Sequence, residues 1–170
     1  MPLGLLQHTC NGRSCKSLDE LDDHRSSCPR SGRLKKRFVP MERMLAQIFK
    51  EDGARVRFNK FVRNLNVPVV SIQNQRRLEV IAEGLFLYRI KQIAIDTTLV
   101  SPLSSEGVPR LQSNLYDVAA IQDVVRRKRQ VYSDVFAARR CHLLVAAIET
   151  DGRWNDEFSG FVRHLAKSKS

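Results

Sequence analysis

The run Ile93-Ala94-Ile95-Asp96-Thr97-Thr98-Leu99-Val100 alternates as a β-strand and carries a carboxylate in its middle. With a side-chain period of two, Ile93, Ile95, Thr97 and Leu99 share one face, and Ala94, Asp96, Thr98 and Val100 share the other. An unpaired carboxylate among such neighbours is costly to bury. Asp96 therefore requires a cation, a hydrogen-bond network or a site open to water. A metal site meets that requirement, and so does a structural salt bridge.

A second oddity lies downstream. Val118, Ile121, Val125, Lys128 and Tyr132 follow one another at spacings of three, four, three and four, the stripe of a core-facing helix side. Lys128 lies on that stripe, which predicts a lysine directed toward the sheet, with Asp96 as its anion. The alternative is a side chain that snorkels past the apolar rim. Arg126, Arg127 and Arg129 fall on other faces, as solvated or phosphate-contacting charges.

The remaining elements follow from these two. Met41, Met44, Leu45, Ile48 and Phe49 recur at helical spacing after Pro40, and Gly53 supplies a stop, so a helix is expected over about 41–52. Arg55 to Phe58, Val67 to Ile72, Leu78 to Ala82 and Gln92 to Val100 read as strands. Ser101 to Ser113 reads as a loop, and Asp117 as the cap of a long helix reaching Phe136. His142 to Ile148 is an apolar run of buried-strand length, and Asn155 to Ala166 an amphipathic helix. The expected class is α/β: helix, strands, long helix, strand, helix.

At 170 residues the chain suits one main domain with a small appended module. Its formal charge of +11 favours a polyanionic partner, since each Lys or Arg set against a phosphate releases counterions. No apolar run approaches the roughly 20 residues that span a bilayer, so no membrane crossing is expected. Met1 to Leu6 lacks a basic n-region and a long h-region, so secretion is not expected either.

Residues 1–31 hold few large apolar side chains but contain Cys10, Cys15, His24 and Cys28, spaced as C-x4-C-x8-H-x3-C. Three thiolates and an imidazole match tetrahedral zinc, which would let so small a segment fold. The four could also be incidental residues, or His8 could replace one of them. Residues 32–40, with Arg33, Lys35, Lys36 and Arg37, read as a basic linker, and 41–170 as the main domain. Between Arg30 and Arg63 stand eleven Lys or Arg against the acids Glu42, Glu51 and Asp52. Phe38, Phe58 and Phe61 are interleaved, either as stacking groups on a phosphate-tracking surface or as core residues.

Two further carboxylates stand at strand ends: Glu83 before Gly84, and Glu149 before Asp151-Gly152-Arg153-Trp154. Carboxylates gathered with one lysine are the parts that metal-assisted phosphodiester cleavage uses. Glu83-x12-Asp96, the helix Arg126-Arg127-Lys128-Arg129-Gln130-Val131-Tyr132 and the segment Ile148 to Trp154 resemble the restriction-like, PD-(D/E)XK endonuclease at the C-terminal end of site-specific non-LTR retrotransposon polyproteins. The upstream cysteine and histidine knuckle belongs to the same resemblance.

That resemblance implies a PD-(D/E)XK core and nicking of target DNA for element insertion, or an inactive nucleic-acid-binding remnant. It implies Glu83 and Asp96 as ligands of Mg²⁺ or Mn²⁺, Lys128 as a catalytic lysine displaced onto the helix, Glu149 as a further acid and Glu42 as an additional candidate. It also implies structural zinc, contacts to DNA through Arg33, Lys35, Lys36, Arg37, Arg126, Arg127 and Arg129, element RNA as a second nucleic acid, a reverse transcriptase portion as partner, and a nuclear location. The sequence departs from the usual pattern twice. Thr98 stands where the strand lysine is usual, and Ala82-Glu83 replaces Pro-Asp.

Overall fold

The computed structural model describes residues 33–65, 67, 71, 73–88, 91–103, 108–110, 113, 116, 118–138 and 141–167, with only the backbone described at 33–37 and 87. Cys10, Cys15, His24 and Cys28 lie outside these residues, as does Asp117. Helix α1 spans Arg33–Glu51, followed by strands β1 (Arg55–Phe61), β2 (Arg77–Glu83) and β3 (Gln92–Val100). Helix α2 (Ala119–Val131), the short α3 (Ser133–Phe136), β4 (Cys141–Glu149) and α4 (Asp156–Lys167) complete the fold.

The strands form one mixed sheet in the order β1-β2-β3-β4, antiparallel except for the parallel β3–β4 pair. Parallel neighbours need a crossover, and α2 and α3 supply it. The alternation along β3 sorts the core into two layers. Ile93 and Ile95 pack with Val80, Ala82, Leu144 and Ala146 against Leu45 and Phe49 of α1 and Phe158, Phe161 and Leu165 of α4. On the opposite face Ala94 joins Leu78, Ile81, Tyr132 and Val135, while Val100, Val145 and Ala147 cover Ile121. Phe158 is 1% exposed between sheet and helix, and its truncation to alanine would cost about 3–5 kcal/mol.

Three expectations are corrected. The segment read as a linker is helical from Arg33, and α1 runs through Pro40 without a break. Its Leu, Lys and Arg residues are good helix formers, and the exposed Pro40 is tolerated at the cost of one backbone hydrogen bond. The C-terminus of α1 follows the sequence: Gly53 adopts φ +81°, and the amides of Gly53 and Ala54 donate to the carbonyls of Lys50 and Phe49, a Schellman arrangement. In the second correction, Val67 and Ser71, from the run read as a strand, belong to neither helix nor strand, and 68–70 and 72 lie outside the described residues. In the third, the long helix is interrupted at Tyr132, whose φ of −110° and ψ of 29° separate α2 from α3.

Candidate active site

Pairing between β2 and β3 is confined to Val80↔Ile95, Ile81↔Ala94 and Ala82↔Ile93. One step further, the register sets Glu79 opposite Asp96, but there the strands part. The amide of Thr97 donates to Glu79 Oε2 at 3.1 Å, so a carboxylate fills the place of a ladder partner. On the other side of β2 the register with β1 is unbroken, Phe58 pairing with Val80 and Lys60 with Leu78, but Asn59, opposite Glu79 and with φ +50°, forms no ladder pair. Among the described residues Asn59 is the one non-glycine with positive φ, a conformation that asparagine tolerates better than most. Glu79 thus stands on a stretch of backbone released from pairing on both sides.

Asp96 is 1% exposed and faces α2. Lys128, placed by the stripe that begins at Ile121, puts its Nζ 3.0 Å from Asp96 Oδ1 and 2.8 Å from Oδ2. Only the contact to Oδ1 has hydrogen-bond geometry, and Oδ2 is left buried without a hydrogen-bond partner. The Tyr132 hydroxyl, 3.0 Å from the Arg77 carbonyl, also reaches Asp96 Oδ1 at 3.3 Å. Arg76 ties the helix pair to the start of β2 through the Asp134 carboxylate and the Val131 carbonyl, and its guanidinium lies 5.4 Å from the centroid of the Tyr132 ring. Beyond β3, Glu42 of α1 accepts from the Thr97 hydroxyl at 3.3 Å.

The electrostatics reflect two acids sharing one lysine. Burial, the neighbouring Asp96 carboxylate and only partial relief from the Thr97 amide and Lys128 push Glu79 up to about 7. Burial also raises Asp96, against the pull of Lys128 and the Tyr132 hydroxyl. Burial and both carboxylates push the Tyr132 phenol upward, so it remains a neutral hydrogen-bond donor. A buried and a half-buried carboxylate side by side, one with an oxygen lacking a donor, suit a hard cation with oxygen ligands. Glu79 and Asp96 are a pair: among the described residues no three or more His, Cys, Asp or Glu side chains group as metal ligands.

The expected site residues distribute unevenly. Asp96 and Lys128 come together as the strand and helix patterns require. Glu83 does not join them: it lies four residues along β2 from Glu79, roughly 13 Å at strand rise. There it is ion-paired to Arg57 and accepts from the Gln92 amide. Its place beside Asp96 is taken by Glu79, a mid-strand charge in Leu78-Glu79-Val80-Ile81 with the same signature that marked Asp96. Glu149 is buried at the far end of β4, opposite Val100, with Arg153 at 3.9 Å.

Thr98 shares the Asp96 face and is partly buried. Arg126 and Arg127 are exposed and paired with Asp123, and Arg129 pairs with Glu157. Arg33, Lys35, Lys36 and Arg37 lie in the first turns of α1. A groove of about 610 Å³ between α2 and Trp154–Glu157 is lined by none of the clustered acids. No helix among the described residues is long and apolar enough to cross a membrane. No protein-family model matches the chain, and no curated protein matches it.

Proposed function

We propose that this chain is a PD-(D/E)XK-type endonuclease domain of the non-LTR retrotransposon kind, cutting DNA with Glu79, Asp96 and Lys128. The observation that carries the reading is the fork between β2 and β3, where two carboxylates meet under a lysine delivered by α2. The element order of helix, strands, helix, strand and helix around one mixed sheet supports it, because that is the order expected from the resemblance. On this reading Glu79 takes the first acid position in place of Glu83. Mg²⁺ or Mn²⁺ held by Glu79 and Asp96 would polarise the scissile phosphate and activate water. Lys128 neutralises charge beside Asp96 and is placed to steady the developing negative charge at the phosphate. Tyr132 holds Asp96 in orientation, and Arg76 fixes the helix junction from which Lys128 reaches.

The same reading places structural zinc at Cys10, Cys15, His24 and Cys28, a reverse transcriptase portion as partner and the nucleus as location. The test is nicking of supercoiled plasmid in Mg²⁺ or Mn²⁺. Asp96→Ala, Lys128→Ala and Glu79→Gln should each abolish it, whereas Glu83→Gln should leave it near the parent rate. Equal activity in parent and all variants would refute the assignment. A second reading, a nucleic-acid-binding remnant without cleavage, is favoured by one feature: Lys128 covers both oxygens of Asp96, and a Glu79 titrating near 7 is only partly charged at neutral pH. Salt-sensitive DNA binding with no nicking in any divalent metal would establish it.

A further inference from the structure

The helix that carries Glu42 turns a second face to water, and that face is cationic. Lys36, Arg43 and Lys50 succeed one another at intervals of seven residues along α1. Seven residues advance a helix by about 10.5 Å and return it to within about 20° of the same direction, so the three positions form one line about 21 Å long. The unbroken passage through Pro40 is what places Lys36 on the same element as the other two. Arg43, Gln47 and Lys50 are exposed, while Leu45 and Phe49 are buried against the sheet. The two acids of the helix are engaged elsewhere: Glu42 accepts from the Thr97 hydroxyl on the sheet side, and Glu51 accepts from the Gln47 amide. Arg43 and Lys50 have no carboxylate partner among the described residues, whereas the exposed arginines of α2, Arg126, Arg127 and Arg129, each have one.

We propose that the outward face of α1, with Arg43 and Lys50 as its contacts, is a docking surface for duplex DNA, separate from the acids. Asp96 faces α2, whereas α1 covers the opposite layer of the sheet, so a duplex held along α1 is anchored on the far side from Asp96. The proposal therefore stands without the nuclease reading. Charge selects the occupant. Unpaired cations repeated at a fixed interval along a helix match the regular phosphates of a nucleic-acid backbone, and holding them in line reduces the freedom lost on binding. A membrane surface is disfavoured, since an interfacial helix inserts its apolar face, and that of α1 is taken up by the sheet. DNA is favoured over RNA because the B-form major groove admits a helix, while the A-form groove is deep and narrow. The competing account is a solvated face whose charge serves only solubility.

The experiment is fluorescence anisotropy of the full chain on a labelled DNA duplex without added magnesium, titrated at several salt concentrations. Loss of two phosphate contacts in Arg43→Gln/Lys50→Gln lowers the slope of log K against log salt by about 1.8, and either substitution alone lowers it by about 0.9. Glutamine is a good helix former, so both exposed positions keep the helix. Arg55→Gln removes the same charge from the opposite side of the sheet, since its neighbour Val56 packs toward α1, and leaves the slope as in the parent. A parental slope in the double variant overturns the surface, as does a loss in Arg55→Gln equal to that in Arg43→Gln. An equal change of slope on an RNA duplex of the same length, or binding to phosphatidylserine vesicles that the double variant loses, overturns the choice of DNA. Plasmid nicking by the parent is scored separately. Nicking with unchanged slopes refutes the α1 surface and leaves the nuclease reading intact, while lowered slopes without nicking do the reverse.

Discussion

Replacing Lys128 by methionine should destabilise the fold by an amount that depends steeply on pH. The substitution keeps most of the stem that lies over the sheet and removes the one cation that contacts Asp96 among the described residues. Asp96, 1% exposed, then retains only the 3.3 Å contact from Tyr132, and Glu79 remains beside it. A carboxylate so placed takes up a proton on folding, which raises its folded pKa above the 3.8 of the unfolded chain. The penalty is therefore absent below that value and grows as pH rises, at 1.36 kcal/mol per unit. Its ceiling is on the order of 4 kcal/mol at pH 7 and on the order of 2 kcal/mol at pH 5. The upper figure agrees with the roughly 3–5 kcal/mol typical of breaking a buried pair. The parent already holds Asp96 above its ordinary value, so the measured difference should fall below these ceilings at both pH values. Urea unfolding of parent and variant at pH 5 and pH 7 measures it, and Asp96→Asn in the same background should recover most of the loss. An equal destabilisation at the two pH values would refute the assignment of the penalty to Asp96.

Glu79 gives a related effect in the parent. Its folded value of about 7 lies above the ordinary 4.5, so its contribution is present below pH 4.5 and is lost as pH rises through 7, a change on the order of 3 kcal/mol. Glu79→Gln should flatten that part of the stability curve, and a curve as steep as the parent's would place the titration elsewhere. On the nuclease reading, divalent metal should act in the opposite sense, because it would bind the ionised pair. Mn²⁺ should raise the thermal midpoint of the parent more at pH 8 than at pH 6 and leave that of Asp96→Asn unchanged, and an equal rise in both proteins would move the metal to another site.

What the sequence disclosed and what it hid divide along a physical line. Asp96 and Lys128 were legible because each violates a local pattern: a charge within an apolar strand, and a lysine on an apolar helix stripe. Their meeting needed only that the helix pack on that face of the sheet. Glu79 carries the same local signature, yet its partnership depends on the register between β2 and β3. The intervening Gly84 to Lys91 connection does not specify that register, so the sequence pointed to Glu83, at a strand end, and passed over Glu79. The Arg57 and Gln92 contacts that occupy Glu83 depend on the same register and were invisible for the same reason. Pro40 misled for a different cause. Its missing amide donor marks it as a helix start, but at an exposed position the helix runs through it and forgoes that one hydrogen bond.

The lysine carried on α2 and the forked strands are consequences of one arrangement. With Thr98 on the Asp96 face of β3, that strand offers no cation of its own at the acids, and the charge must come from α2. A helix-borne lysine reaches Asp96 only if the helix is held at the right height over the sheet. Arg76 performs that task, joining the first residues of β2 to the Val131 carbonyl and the Asp134 carboxylate at the α2–α3 junction. The break at Tyr132 then becomes intelligible, because it turns the phenol toward Asp96 while leaving the Val131 carbonyl for Arg76. The unpaired backbone at Glu79 completes the arrangement. A fully laddered β2 would have offered the Thr97 amide a carbonyl, and Glu79 would have lost the donor that now holds its carboxylate beside Asp96.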